Sequence, residues 1–478
     1  MKVRLDISNK AHIQRIKYVV SDFVMSSLAW FTYNIVRYQT GNVVGWPYLE
    51  SYLKSNIVLL GQIIFPVMMM VTYIFSGYYN NVCRKSRIQE LLTTAASSGI
   101  NTLLIFFAAL INDVVGVRGN DYEMIIILWL ILFGFVYAGR AMITNVASRQ
   151  IKSRKWTFPT IIIGSGSAAV NFANKLNSKR ESSGYEIMGF ANIPGENPVK
   201  GNPLPCYELD ELKEVCETQG IWELIVVPTR DDTHQTMNAI NKLFSLGLPI
   251  MISPDRFNVL QTPVRISDIY GEPLVNISSS SMSDSGKNIK RALDVIVSII
   301  AMILLSPVYV VVSLIIKSTS PGPIFYKQER VGLHNKPFKI IKFRSMVQNA
   351  EPNGQPQLSS DDDPRITPFG RFMRKYRIDE FPQFWNVLKG EMSLVGPRPE
   401  RKYYIDQIIK LMPSYALLHQ VRPGITSMGM VKYGYAKNVD EMLDRVKYDL
   451  MYLNNMSLLN DIKILIYTVK IVFTGRGV

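Results

Sequence analysis

Four apolar stretches fill the first third of this 478-residue chain: Tyr18–Val36, Ile57–Tyr78, Leu91–Ile111 and Met124–Ile143. Each approaches the roughly 20 residues that a helix needs to cross the hydrocarbon core of a bilayer, so part of the chain is expected to fold in lipid. With 47% hydrophobic and 19% charged residues, the chain is not intrinsically disordered. Positive residues set the expected orientation. Lys2, Arg4, Lys10, Arg15 and Lys17 precede the first stretch, Arg84, Lys85 and Arg87 fill the second connection, and Arg149, Lys152, Arg154 and Lys155 follow the fourth. Between the helix-flanking residues, the first and third connections hold only Lys54 and Arg118. Both ends of the bundle should therefore face the cytoplasm. The charged N-terminus and the lack of a small-residue cleavage pattern predict an uncleaved first segment.

The third stretch is the least apolar, with Thr93, Thr94, Ser97, Ser98 and Asn101 in its first half, which predicts a helix packed through small residues. The four stretches are read as free of buried charge, and so as an anchor in preference to a transporter. Only Cys83, Cys206 and Cys216 occur, without C-x-x-C spacing, and four histidines are scattered. Neither a disulfide framework nor a zinc site is indicated. Lys plus Arg exceed Asp plus Glu by 53 − 38 = 15, so the natural partners are anionic: phospholipid, nucleic acid or phosphorylated small molecules.

After Lys155 the pattern becomes α/β. Thr157–Ile163 is a β-branched run that leads into Gly164-Ser165-Gly166-Ser167-Ala168-Ala169 and a helical pattern through Leu176. Further strands are predicted at Ile187–Phe190, Glu223–Val227 and Pro249–Ile252, separated by helices at Leu209–Gln219 and Thr233–Leu246. That order predicts a small parallel, Rossmann-like sheet. The glycine turn could seat a nucleotide phosphate on a helix N-terminus. Asn192 stands where a nicotinamide site would offer an acid to the ribose, which favours a structural or regulatory role over redox chemistry.

A short polar linker, Ser278–Ser281 with Ser283, Ser285 and Gly286, separates a third unit. This unit opens with Lys290-Arg291 and an apolar helix from Ala292 to Ile316, interrupted at Ser306-Pro307, where proline predicts a break or sharp bend. A helix that turns at Pro307 and returns to the same side keeps the basic remainder cytoplasmic, which favours re-entry over a fifth span.

From Phe338 onward, basic and acidic clusters crowd together. They include Lys339, Lys342 and Arg344; Asp361-Asp362-Asp363-Pro364-Arg365; Arg371, Arg374, Lys375 and Arg377; and Asp379-Glu380-Phe381-Pro382. Pro382 is placed to open a helix through Leu388, which puts Asp379 and Glu380 at or just before its N-terminus. A carboxylate held there could attack a phosphate, and a divalent ion, Mg²⁺ for hard oxygen ligands, would be needed to offset the repulsion between carboxylate and pyrophosphate. An isolated Asp-Glu pair is more often a plain acidic cap; the arginines on both sides reduce that advantage. Arg398, between two prolines, is pre-organised for phosphate. Lys342 and Arg344, two apart on the run Phe338–Phe343, are expected to project from one face.

The stretch from Lys290 to Val478 closely resembles the monotopic polyprenyl-phosphate phosphoglycosyl transferases, the bacterial sugar transferase family. The resemblance is carried by Arg291-Ala292-Leu293-Asp294, Ser306-Pro307, the run from Gly322 to Gly332, the run from Phe338 to Met346, the run from Ile378 to Gly390, and Ser393-Leu394-Val395-Gly396-Pro397-Arg398-Pro399. It implies transfer of a sugar 1-phosphate from a UDP-sugar to undecaprenyl phosphate with release of UMP, initiating capsule, O-antigen or exopolysaccharide synthesis. In the family the Asp of the dyad is the nucleophile, a role that falls on Asp379, with Glu380 as partner in holding Mg²⁺ or in orientation. By the same matching, Lys342, Arg344, Arg377 and Arg398 are expected to bind phosphate, and Asp449, in Tyr448-Asp449-Leu450, to be a further acid of the site. One segment departs from the family pattern: Gly424-Ile425-Thr426-Ser427-Met428-Gly429-Met430-Val431 replaces the usual Gly-hydrophobic-Thr-Gly and Gln-Val, which bears on sugar preference.

The expected architecture is a membrane protein of mixed α and α/β class. A four-helix transmembrane bundle occupies 1–155, a Rossmann-like domain 156–276, a linker 277–289, and a monotopic catalytic domain with a re-entrant helix 290–478. The expected place is the bacterial inner membrane with the catalytic domain on its cytoplasmic face. The expected partners are UDP-sugar, undecaprenyl phosphate and the lipid bilayer, with no nucleic acid and with a homodimer left open. Two rival readings are an NAD(P)-dependent sugar-nucleotide enzyme built on the glycine turn and a non-enzymatic scaffold of polysaccharide assembly.

Overall fold

The apolar stretches form helices: α1 (Lys2–Gln39), α4 (Arg87–Asn112) and α5 (Asn120–Lys152) extend beyond the expected bounds at both ends, whereas α3 (Asn56–Phe75), preceded by a short α2 (Leu49–Leu53), stops three residues before the expected end at Tyr78. The computed structural model describes residues 2–474 apart from 44, 81, 86, 113–119, 179–183, 197, 200–202, 228–232, 254–273, 279, 349, 351–356 and 359–362. Arg118, Ser279, Asp361, Asp362 and Val478, named above, lie outside the described residues, as do the side chains of Lys2 and Arg4. The chain divides into two compact units. The first comprises residues 1–158 with 179–185 and 283–288; the second comprises 159–178, 186–282 and 289–478.

Among the described residues of the first unit, four helices are long and apolar enough to cross a membrane: Asn9–Gln39, Asn56–Phe75, Arg87–Phe107 and Glu123–Lys152. Helix α1 packs on α3 and α5, and α4 packs on α5. Val20, Leu28, Leu60, Ile63, Leu92 and Ile126 stay exposed, as a lipid-facing surface requires. The polar first half of α4 turns inward as expected: Thr94, Ser97, Ser98 and Asn101 are all buried.

The expectation of charge-free spans is overturned. Asp22 and Arg140 are fully buried, and Arg140 donates from Nε and Nη2 to the two Asp22 carboxylate oxygens at 2.8 and 2.7 Å. Tyr79 Oη donates to Asp22 at 2.7 Å, and the Arg140 guanidinium lies 3.5 Å from the Tyr78 ring centre. Glu90, also buried, accepts from Tyr78 Oη and Thr144 Oγ1. The charges are tolerated because each is paired or hydrogen-bonded within the bundle. A cluster closed on itself in this way still reads as an anchor's internal lock and not as a transport path.

In the second unit, β1 (Phe158–Ile163), β2 (Tyr185–Asn192), β3 (Cys206–Glu208), β4 (Glu223–Val226), β5 (Ile250–Ile252) and β6 (Val275–Asn276) form one sheet in the order β3-β2-β1-β4-β5-β6. Residues of β1 and β2 that fall outside the unit's bounds continue the same strands. Helices α6 (Ser167–Ser178), α7 (Leu212–Thr218) and α8 (Thr233–Phe244) connect the strands. The described pairs β1–β4, β2–β3 and β4–β5 are parallel, but β6 runs antiparallel to β5, so the expected all-parallel sheet is corrected at its edge. Strands β3 and β6, three and two residues long, are too short to give a periodic signal.

Helix α9 (Asp284–Leu304) begins inside the stretch read as linker, because Ser283 Oγ accepts from the Gly286 N–H at 3.0 Å and caps it. It is followed by α10 (Ser306–Thr319), which starts at Ser306-Pro307, and the pair is bent by 60°. Beyond lie the hairpin β7 (Phe325–Val331) and β8 (Pro337–Phe343), then α11 (Pro368–Lys375), α12 (Gln383–Lys389), β9 (Ser393–Val395), α13 (Lys402–Leu411), β10 (Gly424–Thr426), α14 (Met428–Lys432), α15 (Val439–Asn454) and α16 (Leu458–Thr474). Strands β9 and β10 pair in parallel. Helix α8 packs on the 3-10 turn Pro413–Gln420, so the six-stranded sheet and the C-terminal segment share a core that includes Ile240, Phe244, Leu417 and Leu418.

Candidate active site

Helix α11 delivers the acid pair. Thr367 caps it by accepting from the Gly370 N–H at 3.0 Å, and Pro368 supplies its first turn. Gly370 is required there, since a Cβ would lie 1.9 Å from the carbonyl oxygen of Ser345. The helix ends at Lys375, and two residues on stands Arg377, whose left-handed backbone (φ +56°) is uncommon for a side chain of this size. It turns the chain into a 3-10 turn, Ile378–Glu380, followed by Pro382 and α12, so the acids stand just before a helix, as expected. Helix α12 has only seven residues, and its dipole is correspondingly small.

The two acids are buried, Asp379 at 6% and Glu380 at 4% exposure, but they are held differently. Glu380 Oε2 accepts from Arg377 at 3.0 and 2.6 Å. Its Oε1 accepts from Lys342 Nζ at 2.9 Å and lies 3.7 Å from Arg398 Nη1. Burial would raise the Glu380 pKa, yet Arg377, Lys342 and Arg398 together hold it well below the usual carboxylate range. Among the described residues, nothing hydrogen-bonds to the Asp379 carboxylate. Burial pushes its pKa up; Lys342 offsets this in part, and the charge of Glu380 adds to it. One acid is thus clamped and the other is left free beside a set of cations.

Of the residues singled out in the sequence, Lys342, Arg377, Asp379, Glu380 and Arg398 come together here. The guanidiniums of Arg398 and Arg377 also lie 5.0 and 5.7 Å from the centre of the Tyr435 ring. Arg344 does not join them. It donates to the carbonyl oxygens of Pro321 and Ser320 at 2.9 and 2.7 Å and ties down the chain after α10, because it lies one residue past Phe343, where the strand and its alternation end. Asp449 is buried with its oxygens turned to backbone N–H groups, of Gly429 at 2.8 Å and Arg398 at 3.4 Å. It braces the loop that carries Arg398. In the departing segment, Ser427 caps α14 by accepting from Met430 N at 3.0 Å. Ser306 and Pro307 sit at the 60° bend, and Ser306 Oγ donates to the carbonyl of Ile303 at 2.8 Å.

Three residues were missed. Glu400 accepts from Arg445 Nη2, lies 3.4 Å from Arg330 and lies 3.9 Å from Arg398, so Arg398 is shared between two buried carboxylates. Glu400 lies two residues past the proline-flanked Arg398, but Arg330 and Arg445 are distant in sequence and no spacing pairs them with it.

Among the described residues, no group of three His, Cys, Asp or Glu could cage a metal ion. Magnesium commonly uses one or two carboxylates and completes its shell with substrate phosphate and water. The free Asp379 carboxylate fits such a role, and Glu380 fits it only if one of its cations turns to the phosphate.

In the sheet domain, the glycine turn is occupied by its own chain. The Ser165 N–H donates to Glu196 Oε2 at 2.9 Å, and Ser165 Oγ donates to Asn192 Oδ1 at 2.7 Å. A solved Rex-family repressor overlaps 35% of this chain and 78% of its own at 18% identity, with a TM-score of 0.19, too low to bear on fold or ligand.

A family model described as bacterial sugar transferase matches residues 285–475. An Aeromonas hydrophila UDP-N-acetylgalactosamine-undecaprenyl-phosphate N-acetylgalactosaminephosphotransferase is 45% identical over 40% of this chain, and the match spans only 44% of that protein. An Escherichia coli UDP-glucose:undecaprenyl-phosphate glucose-1-phosphate transferase is 28% identical over 75% of this chain and 78% of its own. A Salmonella typhimurium undecaprenyl-phosphate galactose phosphotransferase is 31% identical over 67% and 69%. With the acid pair, its cations and the proline-flanked arginine assembled in the matched stretch, the chain belongs to the bacterial sugar transferase family.

Proposed function

We propose that this chain moves a sugar 1-phosphate from a UDP-sugar to undecaprenyl phosphate, with Asp379 as nucleophile, and so begins synthesis of a surface polysaccharide. The observation that carries the reading is the asymmetry of the acid pair. Glu380 is fixed by three cations, while Asp379 beside it accepts no hydrogen bond among the described residues. An Asp379 oxygen attacks the phosphorus that bears the sugar, the P–O bond to the uridylyl phosphate breaks, and the electron pair leaves with UMP. An oxygen of undecaprenyl phosphate then attacks the aspartyl phosphosugar and restores the carboxylate. Lys342, Arg377 and Arg398 supply fixed positive charge to the phosphoryl oxygens, a role for which pre-organised donors are effective. A magnesium ion held by Asp379, and by Glu380 when one of its cations turns to phosphate, would neutralise diphosphate charge.

We further infer a Rossmann-like middle domain, a re-entrant α9–α10 pair, and a bacterial inner-membrane protein with its catalytic domain on the cytoplasmic face, within the four-part division 1–155, 156–276, 277–289 and 290–478. The positive flanks and the 60° bend support this arrangement. The deciding experiment is a burst assay without lipid acceptor, run across UDP-glucose, UDP-galactose and their N-acetylated forms. UMP should appear at no more than one equivalent per enzyme, with a matching mass increase on the intact protein, and Asp379→Asn should abolish both. UMP release that always requires undecaprenyl phosphate, with no adduct, would replace this mechanism with direct transfer.

A further inference from the structure

The proline-flanked Arg398 lies on a stretch whose backbone is fixed on both sides. Before it, the Gly424 N–H donates to the carbonyl of Pro397 at 2.9 Å, an approach so close that a Cβ on Gly424 would lie 2.2 Å from Gly396 N. After it, the Val331 N–H donates to the carbonyl of Glu400 at 3.1 Å, and Arg330 Nη1 donates to that of Pro399 at 3.2 Å. The end of β7 and the start of β10 therefore clamp residues 397–400, all within the second unit. These contacts place the backbone of Arg398 and leave its side chain to be placed by charge.

The guanidinium stands between two carboxylates. Its Nη1 is 3.7 Å from Glu380 Oε1, and its Nε is 3.9 Å from Glu400 Oε1. Both separations exceed a hydrogen bond, so neither acid has taken the arginine's donors. Glu400 is a fixed point in this balance. It is buried at 5% exposure, accepts from Arg445 Nη2 on Oε1 at 2.5 Å, and accepts from Arg330 Nη1 on Oε2 at 3.4 Å. A guanidinium drawn by Glu380 alone would close the remaining gap into a direct charge-assisted pair, and its N–H groups would be lost to that acid.

The mechanism above uses Arg398 and gives Glu400 no part. We propose that Glu400, braced by Arg445 and Arg330, is a positioning residue for the transfer reaction: its charge holds Arg398 off Glu380 and keeps the guanidinium open to the phosphoryl oxygens of the UDP-sugar. This rests on the function proposed above. Glu400 acts through Arg398, so its effect must vanish when Arg398 is removed.

The test uses the full chain in lipid nanodiscs. Glu400→Gln keeps the shape and one acceptor and removes the charge. KM for UDP-sugar in the UMP-release assay should rise about tenfold, the low end of what close charge pairs exert on binding, with kcat changed less than about threefold. Arg398→Ala should raise KM as well, and Glu400→Gln added to it should change nothing more. A glutamate that only supports the fold would lower kcat with the folded fraction, leave KM alone and remain additive with Arg398→Ala. Because Glu400→Gln leaves buried guanidiniums without their counter-charge, Glu400→Gln/Arg445→Met, which removes one of those cations too, is the second variant and should show the same rise in KM. Wild-type KM in both variants, or additive losses in the Arg398→Ala background, would overturn the proposal. A wild-type enzyme that releases no UMP from any UDP-sugar would instead refute the proposed function. Titration calorimetry with inorganic pyrophosphate then reads the same coupling, as an about tenfold weaker Kd in Glu400→Gln that disappears in the Arg398→Ala background. Pyrophosphate binding indifferent to Glu400 would overturn the positioning role.

Discussion

The unequal holding of the two acids predicts opposite effects on stability and activity. Glu380→Gln removes the charge that Arg377 and Lys342 contact at 2.6 to 3.0 Å, and Arg377 is only 6% exposed. An amide oxygen still accepts one hydrogen bond, but a buried guanidinium is left without its counter-charge, at a cost of about 3–5 kcal/mol. At about 2–4 °C per kcal/mol for a domain of this size, the unfolding midpoint should fall by roughly 6–20 °C. Asp379→Asn removes a buried carboxylate that has no hydrogen bond among the described residues and is repelled by Glu380, so the midpoint should hold within about 2 °C or rise, while UMP release is lost. Thermal unfolding of the detergent-purified chain, followed by tryptophan fluorescence, reads both. The sign with pH also follows. Because the Glu380 pKa is depressed on folding, its contribution is complete above about pH 4.3 and is lost as pH falls toward the folded value, so wild type and Glu380→Gln should converge in acid. If Asp379→Asn destabilises as much as Glu380→Gln, Asp379 is a structural acid and the division of roles is wrong.

Two further outcomes are expected. His419 is buried, lies edge-on to Tyr415 at 5.5 Å, has no hydrogen-bond partner on either ring nitrogen among the described residues, and has its pKa pushed by burial down to about 4. The unfolded chain takes up this proton near pH 6.5 and the folded chain does not, so stability should fall by up to about 3 kcal/mol as pH drops from 6.5 to 4. His419→Phe should flatten that slope in urea titrations, and an unchanged slope would refute the assignment. Single cysteines at Lys155 and Val478, in a chain first cleared of Cys83, Cys206 and Cys216, should label from the same side of sealed vesicles; labelling from opposite sides would refute re-entry.

Local chemistry made most of the scaffold legible: apolar length for the spans, the strand, glycine turn and helix for the sheet, Pro307 for the bend, and Pro382 after the acid pair for the dyad's place. What escaped was the direction in which long polar side chains turn. Arg344 and Lys342 are two residues apart, yet one leaves the strand and ties down the chain after α10 while the other reaches Glu380. Asp449 looks like a site acid in sequence, but its oxygens are taken by backbone N–H groups. Asp22 and Arg140 stood in plain view inside two apolar stretches. The signal that could have paired them is that each stretch carries a single opposite charge, and only packing α1 against α5 makes the pairing obligatory.

The glycine turn of the middle sheet shows why a motif is weak until its partners are known. A nucleotide phosphate would draw on the N–H groups of the glycine turn that leads into α6, but the Ser165 N–H is already given to the buried Glu196 carboxylate, and the Ser165 hydroxyl to Asn192, at the strand end where a ribose-binding acid would stand. Gly164 is required for a different reason: a Cβ there would lie 2.3 Å from the carbonyl oxygen of Val227, so its absence of side chain serves the approach of β1 to β4. A dinucleotide would have to expel a hydrogen-bonded carboxylate and then bear its repulsion at close range. The turn therefore fits a structural element of the sheet better than a redox site, because its polar groups are taken by the chain itself, whereas Lys342, Arg377 and Arg398 crowd around the Glu380 carboxylate.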